Sequence, residues 1–174
     1  MDDRLEKARE IRACILNGDA DRTFDLLRSN VDFLTMMTPF GTWLHIAAAI
    51  GALSIAKELV NLGLDINTRG GTLKGNALNS AASNGHHDVV KYLISCGSEL
   101  DVTEPERNPL FSAIYAGSFD TVKILVENGF DASIQYSGAS MKTVNALTFA
   151  EERGQTKIAI FLSELEISRK SEAM

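Results

Sequence analysis

Apolar residues recur along the chain at the three- and four-residue spacing of helices with one buried face, and they do so in five similar blocks. Each block contains two such helical patterns with a glycine between them. The five glycines are Gly18, Gly51, Gly85, Gly117 and Gly154. By subtraction they lie 33, 34, 32 and 37 residues apart. A period of this length predicts a row of repeated units, each of which buries its apolar face against its neighbours.

The two helices of a block differ in the size of their apolar residues. Paired alanines such as Ala47-Ala48 and Ala81-Ala82 mark the first helices, whereas Leu and Val fill the second helices. Small side chains let the first helices approach one another closely. The row is therefore predicted to curve, with a concave side lined by the first helices and the loop tips.

Residues that favour helix ends stand at matching places in the blocks. A further glycine closes the second helix at Gly63, Gly97 and Gly129, where a left-handed backbone is expected. Polar side chains that satisfy free backbone N–H groups precede the first helices. These predicted N-caps are Thr42, Asn76, Asn108 and Asn145.

Several of these segments resemble the ankyrin repeats. The segment from Gly41 to Ala48, Gly-Thr-Trp-Leu-His-Ile-Ala-Ala, is similar to the family's Thr-Pro-Leu-His opening of an Ala-rich helix. Leu-Gly-Leu-Asp-Ile-Asn at residues 62–67 resembles the Gly-Ala-Asp-Val-Asn closing turn, and residues 84–93 and 128–131 repeat the likeness. The chain departs from the pattern because the usual Pro is kept only at Pro109 and the usual His only at His45.

The resemblance covers roughly residues 10–165 and implies an all-α ankyrin-repeat solenoid of about five stacked helix-turn-helix units with projecting loops. We expect a single domain over residues 1–167, followed by a frayed tail at 168–174. The expected units are 1–35, 36–69, 70–102, 103–133 and 134–167. The first and last units depart most from the motif, which is typical of capping repeats.

Composition and charge narrow the choice of partners and compartment. Lys and Arg total 17 against 23 Asp and Glu, a net charge of −6. Phosphate binding needs basic surface, so this balance argues against nucleic acid or an anionic membrane as the main partner. Cys14 and Cys96 are interpreted as reduced thiols in apolar helical settings. The first residues do not read as a signal peptide, and we expect a cytoplasmic protein that is monomeric when free.

The sequence offers little catalytic chemistry. The resemblance gives His45 a structural role in bridging neighbouring loops, and the same role is expected of His86. His86-His87-Asp88 is not expected to bind metal, because adjacent helical residues point in different directions. The Glu151-Glu152 pair and Glu104 with Glu106 are interpreted as solvated carboxylates rather than an acid–base pair. No enzyme activity, cofactor or metal is expected.

What remains is a surface for binding another protein. In ankyrin-like stacks, partners contact the loop tips and the last residues of the first helices. Trp43 is a contact candidate with an open alternative, since it can instead pack between repeats in place of the usual Pro. The predicted contact residues are Phe40, Trp43, Ile50, Arg69, Leu73, Lys74, Asn84, Glu104, Glu106, Arg107, Tyr115, Tyr136, Met141 and Glu152.

Two protein-binding functions stay open at this point. One is an immunity protein that neutralises a basic toxin or effector by occluding it, similar to the ankyrin-type immunity proteins of bacteria. Weakly matching repeats rich in Met and Ser favour a bacterial source. The other is a cytosolic scaffold that bridges two proteins. An enzyme with an unrecognised site is the third and weakest reading.

Overall fold

The computed structural model describes residues 3–72, 74–138 and 141–172, and this part of the chain contains ten α-helices and one two-stranded hairpin. The helices are α1 (Asp3–Leu16), α2 (Ala20–Ser29), α3 (Trp43–Ala49), α4 (Leu53–Asn61), α5 (Ala77–Ser83), α6 (His87–Ser95), α7 (Pro109–Tyr115), α8 (Phe119–Glu127), α9 (Ala146–Glu152) and α10 (Thr156–Glu172). The strands are β1 (Tyr136–Gly138) and β2 (Met141–Val144). The predicted solenoid of helix pairs is confirmed.

The helix starts follow the predicted caps. The side-chain oxygens of Asn76, Asn108 and Asn145 accept hydrogen bonds from backbone N–H groups in the first turns of α5, α7 and α9. At α3 the arrangement differs from the simple cap, because His45 reaches back and its Nδ1 accepts from the Thr42 N–H at 3.2 Å. These bonds satisfy donors that a helix leaves free at its first turn.

The glycine between the two helices of a unit is required by the backbone. Gly51 has φ = +72°, a conformation that other residues adopt at a cost. A Cβ at Gly51 would also lie 2.6 Å from the His86 ring. The recurrence of glycine at this place therefore reflects both a left-handed turn and close packing of the next unit.

The helices stack in two rows. The first helices α1, α3, α5, α7 and α9 contact one another in order, and the second helices α4, α6, α8 and α10 form the outer row. Ala47 and Ala81 are fully buried where the first helices meet, and Leu59, Leu93 and Leu125 are fully buried in the outer row. The size difference predicted between the two rows is thus present in the core.

Two details differ from the sequence-based expectations. The longer loop of the last unit forms an antiparallel hairpin in which Tyr136 pairs with Val144, so the chain is not purely helical. The polar end that was expected to fray from Ser168 continues α10 as a helix through Glu172. Within the described ranges, no helix combines the length and apolar character needed to span a membrane.

Candidate protein-binding groove

Two neighbouring hollows open along the row of first helices, and together we call them the groove. The aromatic hollow, about 510 Å³ in volume, lies between α7 and α9 and is lined by Phe111, Tyr115, Tyr136 and Phe149. The N-terminal hollow, about 430 Å³, is lined by Phe40, Ile50 and Asn84. Ser83, the last residue of α5, lines both hollows. The two hollows are therefore adjacent in the middle of the stack.

Ring contacts between units build the aromatic hollow. The rings of Phe111 on α7 and Phe149 on α9 stack with centroids 5.0 Å apart. Tyr136 of β1 meets Phe111 edge to face at 5.1 Å. The Tyr136 hydroxyl donates to the Val102 carbonyl and accepts from the Asn108 side chain, which fixes the hairpin against the preceding unit. Burial raises the pKa of Tyr136 even though the Asn108 bond opposes it, so the phenol stays neutral.

Charged groups surround the mouth of this hollow. The Arg153 guanidinium lies over two rings, 4.7 Å from the Tyr115 centroid and 5.1 Å from that of Phe149. Glu106 and Glu152 are exposed carboxylates from different units that line the same hollow. Apolar walls with a charged rim are the arrangement that protein interfaces share.

The N-terminal hollow also combines an exposed ring with a cation. Phe40 is 52% exposed, and the Arg12 guanidinium lies 4.5 Å from its centroid. Ile50 is half-buried at the end of α3, and Asn84 is exposed at the end of α5. This end of the groove therefore offers apolar surface to a partner as well.

The groove gathers half of the residues predicted as contacts. Seven of them line one of its two hollows, and their role in binding stays a prediction. They are Phe40, Ile50 and Asn84 in the N-terminal hollow, and Glu106, Tyr115, Tyr136 and Glu152 in the aromatic hollow. Lys74 is exposed on a loop outside both hollows. Leu73 and the side chain of Met141 lie outside the described residues.

The prediction of Trp43 as a surface contact is wrong. Its side chain is fully buried, and its indole Nε1–H donates to the Phe33 carbonyl at 2.6 Å. Trp43 is the first residue of α3, where the family usually has Pro. The alternative reading, in which it packs between repeats, is the correct one.

Three other predicted contacts hold loops of the third and fourth units together. Asp101 is buried, and its Oδ2 lies 2.9 Å from Arg69 Nη2 and 3.2 Å from Arg107 Nε. Arg107 also pairs with Glu104 at 3.1 Å. Arg69, Glu104 and Arg107 thus belong to an ion-pair network around Asp101, and their role in binding a partner stays a prediction.

The pKa of Asp101 reflects this network. Burial alone would raise it, but hydrogen bonds from Thr103 and the charges of Arg69 and Arg107 outweigh burial and lower the pKa below its ordinary value of 3.8. The carboxylate therefore stays charged at neutral pH and keeps both arginines in place.

The histidines bridge loops, as expected for His45 and His86. His45 Nε2 lies 3.1 Å from the Gly75 carbonyl, and His86 Nε2 lies 3.0 Å from the Ala49 carbonyl. Because His45 Nδ1 accepts from Thr42, its proton is placed on Nε2, from which it donates to Gly75. Burial lowers the pKa of His45, although the Gly75 bond opposes this effect. Among the described residues, no three His, Cys, Asp or Glu side chains come together as a potential metal site.

Sequence reasoning missed Phe111 and Phe149 as part of the site. A signal was present in the alignment of the units: Phe111 stands where α3 has His45 and α5 has Asn79. Phe149 likewise stands where α5 and α7 have serine. Aromatic side chains at positions that are polar in neighbouring units indicate that the surface becomes more apolar in this part of the stack.

Comparisons with known proteins agree with this architecture. A family model described as ankyrin repeats (3 copies) matches residues 11–104 and again residues 78–171. The human (Homo sapiens) protein named protein phosphatase 1 regulatory subunit 27 is 33% identical over 93 residues, which are 53% of this chain and 60% of that protein. The mouse (Mus musculus) protein of the same name matches to the same extent.

A third relative comes from a spider. Alpha-latrocrustotoxin-Lt1a of Latrodectus tredecimguttatus is 45% identical over 65 residues, which are 37% of this chain and 4% of the toxin. The chain therefore spans at most 60% of the length of these relatives. Stacked helix-pair repeats present extended surfaces on which other proteins bind. Since the two matches of the ankyrin model together cover residues 11–171, the chain belongs to the ankyrin repeat family.

Proposed function

We propose that this protein is a non-catalytic binding module that holds a segment of a partner protein in the groove. The observation that carries the proposal is the aromatic hollow, an apolar space of about 510 Å³ open to solvent. Buried aromatic anchors at the centre of an interface supply most of its binding energy, and a charged rim adds specificity. The proposal includes a reducing, cytoplasmic setting, which the two free cysteines fit.

Binding in this groove would regulate the partner by covering part of its surface. The human and mouse relatives are named as regulatory subunits of a phosphatase, and regulation by binding is the analogy we carry over from them. Occlusion of a toxin is a narrower form of the same proposal. A net charge of −6 supports a basic partner in either form. A scaffold would instead need a second binding face apart from the groove.

Site-specific photo-crosslinking tests the proposed function. A photoreactive amino acid is placed at Tyr115 or Asn84 in the groove, and at Lys123 on α8 as the matched control. The tagged protein is then irradiated in its native cells. We expect a discrete protein adduct from the groove positions and none from position 123. Equal labelling at all three positions, or none in the groove, would contradict the proposal.

The narrower toxin hypothesis has its own test. The captured partner is expressed in a susceptible host with and without this protein, and cell survival is scored. We expect the partner to kill alone and to be harmless when co-expressed. A partner that is harmless alone rules out the immunity function, and a ternary complex with a second protein favours the scaffold.

A further inference from the structure

The aromatic hollow combines apolar rings with charged side chains at its rim. The signs of these charges influence which partner side chains can bind there. The walls of the hollow are rings, and its only described cation, Arg153, already lies over Tyr115 and Phe149. The two carboxylates, on Glu106 and Glu152, have no ion-pair or hydrogen-bond partner within the part of the chain that the structure describes. Other exposed carboxylates of the chain do form ion pairs, as Glu104 does with Arg107 and Glu127 with Lys123.

We propose that the groove recognises an extended peptide segment of the partner in which a large apolar side chain, preferably aromatic, lies within two residues of a Lys or Arg. The apolar side chain enters the aromatic hollow against Phe111 and Phe149. The basic side chain lies at the rim between Glu106 and Glu152. This inference rests on the proposed function and names the chemistry of the segment that is bound.

Charge complementarity favours a Lys or Arg near the apolar side chain of the bound peptide. The hollow is lined by two carboxylates and one guanidinium, so its net charge favours a partner cation over a partner carboxylate. Because the rim is solvent-exposed, each pair contributes modestly, and the rings supply the larger share of the affinity.

The adjacency of the two hollows favours an extended peptide over a compact ligand. Ser83 lines both hollows, so a chain bound in the aromatic hollow needs to pass only the end of α5 to reach the hollow lined by Phe40 and Ile50. A single small molecule would fill one hollow and leave the other exposed. An extended chain that advances about 3.3 Å per residue can place side chains in both.

Helix α9 offers a matched pair of variants for the test. Glu151 and Glu152 are neighbours on this helix and both are exposed, but only Glu152 lines the hollow. Glu152→Arg therefore reverses a rim charge, and Glu151→Arg makes the same chemical change beside it. Tyr115→Ala removes a ring that is 62% exposed and leaves the core intact.

The experiment selects random 12-residue peptides displayed on phage against the immobilised full chain. Enriched peptides are synthesised with a fluorophore, and their Kd for the wild type and the three variants is measured by anisotropy. We expect a consensus with an apolar residue and a nearby Lys or Arg. We expect Glu152→Arg to weaken binding at least about fivefold, Tyr115→Ala about tenfold, and Glu151→Arg less than about twofold.

The remaining outcomes overturn the inference. They are a consensus without a basic residue, equal effects of Glu151→Arg and Glu152→Arg, or no enrichment at all. In each of these cases the crosslinking result still decides the proposed function independently, because it requires no particular peptide chemistry. Thermal unfolding of each variant confirms that a loss of binding is not a loss of fold.

Discussion

At the scale of single residues, the third position of each first helix shows how one site in the repeat changes its task along the stack. His45 donates to the Gly75 carbonyl of the next loop, and Asn79 donates to the Glu106 carbonyl at 3.3 Å. In α7 the same position holds Phe111, whose ring builds the aromatic hollow instead. At this position, the polar side chains that bridge loops in α3 and α5 are thus replaced in α7 by a ring that lines the aromatic hollow.

The burial of His45 makes the stability of the protein depend on pH. Burial lowers the pKa of folded His45, so the unfolded chain, with its ordinary value of 6.5, binds the proton more readily. The free energy of unfolding is therefore expected to fall as the pH drops below about 6.5, until the folded pKa is passed. His45→Asn keeps a donor of the kind Asn79 provides and should flatten the dependence in this range.

Urea titrations at several pH values measure this effect. His87→Asn serves as the control, because the His87 side chain is 47% exposed and its Nε2 lies 3.5 Å from the Asp88 carboxylate. An unchanged slope of stability against pH in His45→Asn would show that other groups carry the dependence.

Trp43 stabilises the stack through one buried hydrogen bond as well as through the apolar surface that its side chain buries. Trp43→Phe keeps a ring but removes the indole donor to the Phe33 carbonyl, which still accepts from the Met36 N–H. Loss of one hydrogen bond costs about 0.5–1.5 kcal/mol, and the smaller ring adds a cavity. Chemical denaturation should show at least this loss. Lys74→Ala, on an exposed loop, should change stability by no more than about 0.5 kcal/mol.

At the scale of elements, the caps and glycines made the helix pairs predictable, because each acts within one turn of the chain. The hairpin at Tyr136–Val144 was expected only as a longer loop. Its strands have three and four residues, too short for an alternating pattern to stand out. The sequence pattern does not predict the ring contact between Phe111 and Phe149 either, because the two residues belong to different units and meet only when the units pack.

The N-cap of α7 should contribute more to the free energy of unfolding than the N-cap of α9. Asn145 Oδ1 caps α9 by accepting from the Thr148 N–H, and the Thr148 hydroxyl that also reaches this oxygen has the Asn145 carbonyl as a second acceptor. Asn108 caps α7 and also donates to the Tyr136 hydroxyl. Loss of an N-cap side chain costs about 0.5–2 kcal/mol. Asn108→Ala is expected to cost about 1 kcal/mol more than Asn145→Ala, because it also removes one of the two hydrogen bonds of the Tyr136 hydroxyl.

Guanidinium denaturation of both variants gives this comparison. A peptide of the kind proposed above should also bind Asn108→Ala less tightly than Asn145→Ala, since Tyr136 lines the aromatic hollow. Equal stability losses in the two variants would mean that the Tyr136 bond contributes nothing measurable.

At the scale of the whole molecule, the stack is a one-dimensional array in which the main contacts of the described helices are with helices of the same and the adjoining units. Helix α6 contacts α4 on one side and α8 on the other. Arg69, Asp101 and Arg107 add a polar tie between the loops of adjoining units. Stability in such arrays is close to a sum of unit terms and nearest-neighbour interface terms.

This architecture predicts which core substitutions are additive. Leu59, Leu93 and Leu125 are fully buried in α4, α6 and α8, and each Leu→Ala change should cost about 2–5 kcal/mol. Leu93→Ala with Leu125→Ala affects two helices that share an interface, so their effects should couple by about 0.5 kcal/mol or more. Leu59→Ala with Leu125→Ala affects helices separated by α6 and should add within about 0.5 kcal/mol. Double-mutant cycles from urea titrations at one pH supply both coupling energies. Strong coupling between Leu59 and Leu125 would contradict the nearest-neighbour description and point to a core that responds as a single unit.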